Sequence, residues 1–209
     1  GVPAHVDGLM LEITEQAGAA LINGDRMWHY TEGITNYAPV WPKHGIRILP
    51  GPSSLWLDAT GHRMPPPALP GFDTLGTLEQ ILKTGFDHSW FVLTQSIIEK
   101  EFALSGSEQN PDLTGKSISQ LIRQRLGKGA PGPVQAFIDQ GVDFVHANNL
   151  EDLIEKMQSL TSAPLDSNAV RTAVHERDLA YDNKFTKDLQ LAAIRDARHY
   201  VGDKLIRVA

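Results

Sequence analysis

Eight histidines and no cysteine set the chemistry open to this 209-residue sequence. Without thiols there is no thiolate nucleophile, no disulfide and no thiolate metal site. The histidines are His5, His29, His44, His62, His88, His146, His175 and His199. None falls in an H-x-H or H-E-x-x-H pattern, the spacings that bring two imidazoles to one metal ion. His175-Glu176 runs on into Arg177-Asp178 without a second ligand at helical spacing, so it reads as a solvated helix face. Serine offers no better nucleophile. Gly51-Pro52-Ser53-Ser54 is not the G-x-S-x-G turn that lifts a seryl hydroxyl above a sheet. The motifs therefore assign no metal site and no catalytic residue.

A phosphate cradle is missing too. Neither G-x-G-x-x-G nor G-x-x-x-x-G-K-[ST] occurs, and these are the patterns whose bare backbone N–H groups approach a pyrophosphate. Gly127-Lys128-Gly129 is too short, and the prolines after it argue against a following helix N-terminus. The densest chemical stretch is Trp28-His29-Tyr30-Thr31-Glu32. In one reading Trp28 and Tyr30 are core residues of a strand with His29 on its other face. In the other, the stretch is the wall of an apolar pocket with polar tips. The sequence leaves both open.

Such residues need a scaffold, and the composition supplies an ordinary one. Apolar residues make up 41% and charged residues 21%, enough for one good-sized core. A net charge of −6 with no basic stripe argues against nucleic acid as a partner. Trp90–Leu93 and Ala17–Ile22, the longest apolar runs, are too short to span a bilayer. No basic segment followed by an apolar one opens the chain, and the lack of cysteine suits the cytoplasm. Gly1-Val2-Pro3 and Arg207-Val208-Ala209 read as cut points rather than natural ends.

Periodicity places the elements. Leu9, Met10, Ile13, Ala17 and Ala20 recur at helical spacing, predicting a helix over Asp7–Leu21 with Asp7 as its cap. Strands are expected at Gly45–Leu49 and Ser54–Asp58, the second entering a hairpin turn at Gly61. Pro65–Pro70 holds four of the 13 prolines and forms a stiff connection. Thr74–Thr84 and Ser96–Leu104 have helical patterns, Ser89–Thr94 reads as a strand, and Ser105–Thr114 as a polar loop. Ser117 with Gln120 forms a capping box, after which Gly127–Pro133 breaks the helix. Phe137–Val145 reads as a helix end with a short strand. Asn149 and Asp166 cap two further helices, one along Leu150, Leu153, Ile154, Met157 and Leu160, the other along Val170, Val174 and Tyr181. The expected fold class is α+β, with short antiparallel strands and a mostly helical C-terminal half.

Four stretches, in order, resemble the middle of the FAD-dependent fumarate reductase and succinate dehydrogenase flavoprotein family, including its 3-ketosteroid dehydrogenase branch. Val6-Asp7-Gly8-Leu9-Met10 through Glu15-Gln16-Ala17-Gly18-Ala19 resembles the family's "G-D-G-x-x-M…A-G-A" helix of the flavin-binding half. Gly51 through Met64 is similar to the glycine-bearing strand and "V-N-x-x-G-x-R-F" at the entrance to the cap. Ala147-Asn148-Asn149-Leu150-Glu151-Asp152-Leu153 resembles "A-x-T-L-E-E-L-A". Leu165-Asp166, Ala169, Val170, His175, Tyr181-Asp182 and Phe185 together resemble "L-x-x-x-V-x-x-Y-N…D-x-x-F".

The resemblance implies a cap, or substrate-side, domain of a flavoprotein. Residues 1–24 would belong to the flavin-domain side and residues 25–209 to the cap. FAD would be the cofactor of the parent protein and is not expected on these residues alone. The missing flavin-binding domain would be their partner within the same chain. The implied activity is dehydrogenation or reduction of a carbon–carbon bond next to a carbonyl, the flavin exchanging hydride and a protein group handling the proton. Gly71-Phe72-Asp73-Thr74-Leu75-Gly76-Thr77 lacks the arginine that fumarate reductases carry after the hairpin. A dicarboxylate clamp is therefore in doubt. A small apolar carbonyl compound, steroid-like, better suits the aromatics Trp28, Tyr30, Tyr37, Trp41 and Trp56. The candidate substrate-binding residues are His29, Tyr30, Ser53, Ser54 and Trp56. Two rival readings stay open: an autonomous α+β binding module without catalysis, and an interaction scaffold using the Ser105–Thr114 loop.

Overall fold

The computed structural model describes residues 3–26, 29–70, 74–105, 117–197 and 208. Trp28, the first three residues of Gly71–Thr77 and positions 106–114 of the polar loop lie outside the described residues.

The β-branched and aromatic runs form two small antiparallel sheets. Gly33–Thr35 (β1), Gly45–Leu49 (β2) and Ala103–Leu104 (β5) make one, in the order β1-β2-β5. Leu55–Asp58 (β3) and Ser89–Val92 (β4) make the other, with Leu55 opposite Val92 and Asp58 opposite Ser89. After β3 the chain turns back at once. Asp58 accepts the Thr60 and His62 N–H groups at 2.8 and 3.0 Å, and Gly61 takes the left-handed φ of +96° that the turn needs.

The helices are Leu9–Gln16 (α1), Thr74–Lys83 (α2), Gln95–Lys100 (α3), Ile118–Arg125 (α4), Gly132–Gln140 (α5), Leu150–Ser159 (α6), Ser167–Asp182 (α7) and Leu189–Ala197 (α8). Four N-termini are closed by the side chain before them. Thr94, Ser117, Asn149 and Asp166 accept N–H groups of the first turns of α3, α4, α6 and α7. The fold is α+β.

Two cores hold the sheets. Ile46 and Ile48 of β2 and Leu104 of β5 pack with Ile98, Phe102, Val134 and Phe137, so α3 and α5 cover the first sheet. Leu55 and Leu57 of β3 pack with Ile154, Val170 and Ala173, so α6 and α7 cover the second. Burying one such side chain contributes about 1.5–3 kcal/mol. The helical stripes of Asn149 and Asp166 thus find a sheet, as amphipathic helices require.

Some expectations fail for identifiable reasons. A helix does follow Gly127-Lys128-Gly129, because Pro131 caps α5 and Pro133 falls in its first turn, where an amide N–H has no intrahelical partner to lose. No strand forms between Gly141 and Val145. The second half of Ser96–Leu104 turns into β5, which completes the first sheet. Tyr30 is exposed and precedes β1 rather than lying on a strand.

α1 is shorter than its periodicity suggests, ending at Gln16 before Gly18 at φ +93°. None of its residues is buried, and Leu9, Met10, Leu11 and Ile13 are exposed. A helix of this length is marginal in water without packing. In hydrogen exchange on the 209-residue chain, amides of Leu11–Ala17 should lose protection well before those of Leu153–Met157. Equal protection in a monomer would show α1 to be held as firmly as α6.

Candidate functional site

Far-apart charged side chains close the turn Gly51–Ser54. Gly51 has φ +87°, and a Cβ there would stand 2.6 Å from Glu101 Cβ, so glycine lets the turn lie against the end of α3. Glu101 is 8% exposed. One of its oxygens accepts the Ser53 N–H at 2.9 Å; the other accepts the Ser53 hydroxyl at 2.7 Å and the Val208 N–H at 2.5 Å. Arg177 donates to the Ser53 carbonyl at 3.1 Å. Gln190 donates to the Pro52 and Ser54 carbonyls at 2.6 and 2.7 Å. Ser54 turns its own hydroxyl onto the Gly51 carbonyl at 2.8 Å. Asp188 completes the knot, 2.5 Å from Arg63 and 3.8 Å from Arg177. So many hydrogen bonds converging on Gly51–Ser54 fix one arrangement of the turn that leads into β3.

Electrostatics give the knot a pH dependence. Burial alone would push the Asp188 carboxyl up, but the Arg63 hydrogen bond, the Leu191 N–H and the charges of Arg63 and Arg177 together hold it below the usual carboxylate range. A group whose folded pKa is depressed contributes stability above its unfolded value, near 3.9 for aspartate, and that contribution is lost as pH falls through the folded value. Below about pH 4 the melting temperature should therefore drop, and Asp188→Asn should flatten that limb while lowering stability at neutral pH. An unchanged acid limb in the variant would remove Asp188 as its source.

Between the two sheets lies a cavity of about 970 Å³. Phe86, Trp90 and Phe91 around β4, Phe102 before β5, Phe144 and Met157 form much of its wall. Polar residues are fewer: Thr31, Asp87, His88, Asp143 and His146 are among them. The size falls within the range of small-molecule sites, about 300–1,000 Å³, and the wall mixes aromatic faces with polar groups. His88 stands edge-on to Phe86 and Trp90, at 6.2 and 5.4 Å between ring centres.

The structure brings three of the five candidate residues together and keeps two apart. Ser53 and Ser54 are buried in the knot, their hydroxyls engaged with Glu101 and Gly51. Trp56, 3% exposed, follows them on β3; it stacks on Phe91 at 4.7 Å and donates to Ser89 at 2.9 Å. Both of those partners line the cavity. Tyr30 lies under the Arg47 guanidinium at 3.6 Å. His29 and Tyr30 directly precede Thr31, which lines the cavity. None of the five is itself among the described lining residues. Of the other aromatics, Tyr37 packs edge-on to Phe137 and Trp41 stacks on His44. Sequence reasoning passed over His88, although Phe86, His88 and Trp90 alternate at the period of a strand face.

Five of the described helices offer no open cradle for a pyrophosphate. The N-termini of α3, α4, α6 and α7 are occupied by their own caps, and Pro133 removes a donor from α5. An exposed set of backbone N–H groups is what a pyrophosphate needs. Among the described residues no helix is long and apolar enough to cross a membrane, and no group of side chains is placed to hold a metal ion.

Comparison with known proteins matches residues 1–206 to the FAD binding domain family. Proteins described as KsdD-like steroid dehydrogenases in two strains of Mycobacterium tuberculosis are each 65% identical over all of this chain and 37% of their own length. One of the same description in Mycolicibacterium smegmatis is 62% identical over the whole chain and 38% of its own length. The chain thus spans little more than a third of these curated relatives. No solved structure matches it. On the match of residues 1–206 and the identity across its whole length, the chain belongs to the FAD binding domain family, and FAD is the cofactor of the longer protein.

Proposed function

We propose that these residues form the substrate-side cap of a flavin-dependent dehydrogenase or reductase acting on a carbon–carbon bond next to a carbonyl in an apolar, steroid-like substrate. The cavity between the two sheets carries this reading. It is large enough for a fused-ring skeleton, and its aromatic walls suit one. Its relatives' description as KsdD-like steroid dehydrogenases supports the same substrate class. Flavin would supply the hydride exchange from the part of the longer polypeptide outside these residues. Residues 1–24, with the bare face of α1, would belong to that side, and residues 25–209 to the cap.

The five candidate residues fit around the pocket rather than in its lining. Trp56 would brace the Phe91 wall, Ser53 and Ser54 would fix the turn that aims β3, and His29 and Tyr30 would flank Thr31 at the edge. The chain's own contribution is then to bind and orient substrate and keep water away.

The test uses the longer polypeptide loaded with FAD under anaerobic conditions. Androstenedione, or its ring-reduced counterpart, should change the flavin absorbance in single turnover. Ala147→Trp, which puts an indole into the cavity from a half-buried lining position, should raise KM roughly tenfold or more while FAD stays bound. Turnover of succinate or fumarate in place of the steroid would sink the proposal. So would an Ala147→Trp protein with unchanged kinetics.

A further inference from the structure

Covered polar atoms without a partner are rare in folded proteins, and each asks for a reason. Two of them belong to residues that line the cavity: Thr31 Oγ1 and His88 Nε2. They come from different parts of the fold. Thr31 precedes β1 of the first sheet and His88 precedes β4 of the second, so they approach the cavity from different walls. The cavity has other polar residues, Asp143, His146 and Asn148 among them, but neither of these two atoms has a hydrogen-bond partner among the described residues. Nδ1 of His88 has only a long contact, 3.4 Å, with the almost fully exposed Asp87 carboxylate. That leaves the tautomer free to follow whatever meets Nε2.

We propose that Thr31 and His88 are the specificity-determining residues of the cavity, each donating a hydrogen bond to a carbonyl oxygen of an otherwise apolar ligand. The inference rests on the proposed function, since it takes the cavity as the substrate site. Both side chains can make the bond. A threonine hydroxyl rotates to suit its partner, and imidazole with its proton on Nε2 is a donor. In the empty protein the two atoms are covered. Entry of the ligand must therefore turn the Thr31 side chain about χ1 and tilt the His88 ring between Phe86 and Trp90. An oxygen atom that meets either side chain after that movement gives it the partner it lacks in the empty protein. A ligand with the same shape and no oxygen leaves both donors unsatisfied.

Androstenedione and its parent hydrocarbon androstane are the probes. Both are delivered from cyclodextrin to the longer polypeptide loaded with FAD, and binding is read by equilibrium dialysis. Without polar partners the hydrocarbon would bind better, because a ketone must give up water. The natural chain should instead favour androstenedione about tenfold or more. Thr31→Val and His88→Phe should each lower that preference several-fold through weaker ketone binding, with androstane affinity kept. Thr31→Ser and His88→Gln, which keep a donor, should restore much of it. Retained androstane binding also shows that a variant has folded. Equal affinity for the two probes in the natural chain overturns the inference and leaves the cavity as a binding site. A ketone preference that survives both substitutions does the same. Failure of both probes to bind overturns the proposed cavity, and the inference with it.

Discussion

Gly61→Ala should lower the melting temperature of the chain by roughly 5–15 °C, one of the two largest single-residue effects expected here. The turn after β3 needs φ +96° at this position, where an alanine is strained by about 1–3 kcal/mol. Space is short as well. A Cβ would stand 2.7 Å from Val170 Cγ2 and 3.2 Å from the Asp166 carbonyl oxygen. Val170 is fully buried and β-branched, so it cannot swing aside. The Asp166 carbonyl accepts the Val170 N–H at 3.1 Å and is held as part of α7. Overpacking of this kind adds about 1–3 kcal/mol.

A control separates the two causes. Gly85 has φ +82° but nothing within 4 Å of where its Cβ would be. Gly85→Ala should therefore show the strain alone and a correspondingly smaller loss. Equal losses at the two glycines would mean that the β3 turn is not docked against α7. The docking matters for the cavity, because the same β3 carries Trp56 and sets the position of Phe91 across the strand pair.

What the sequence made legible follows from how local each signal is. The Asn149 and Asp166 helices were readable because cap and stripe lie within a few turns, and both caps form as expected. Gly45–Leu49 was readable from its alternating isoleucines, and the strand ending at Asp58 from Leu55-Trp56-Leu57 and the glycine turn after it. β1 was not, since three residues with a single isoleucine give no period to see. α5 was hidden by prolines that look like breakers unless they fall in a first turn. The candidate site was less legible still. Ser53 and Ser54 stood out as polar residues by a glycine, yet their partners Glu101, Arg177 and Gln190 are 48 to 136 positions away. No spacing rule reaches that far. The family resemblance succeeded where periodicity could not, because it draws on the order of several stretches at once.

The knot itself yields the second large effect. Arg177→Met should destabilise the chain by about 3 kcal/mol. Arg177 is 8% exposed, donates to the Ser53 carbonyl at 3.1 Å and stands 3.8 Å from Asp188. Burial pushes its guanidinium down from the ordinary value, against the opposing charges of Asp188 and Glu101, so it has lost much of its water. Methionine fills similar space but leaves the Ser53 carbonyl without that donor and Asp188 with one cation fewer. Breaking a buried pair from one side costs about 3–5 kcal/mol, and the lower end applies because Arg63 and the Leu191 N–H still hold Asp188. Arg177→Lys should fall between, since an ammonium keeps a charge near Asp188 but not the planar donor aimed at the Ser53 carbonyl. Hydrogen exchange locates the damage. Amides of Leu55–Asp58 should open earlier in Arg177→Met than in the natural chain, while those of Leu153–Met157 keep their order. A loss below about 0.5 kcal/mol, the usual range of a surface change, would show that the arginine is not what fixes the turn.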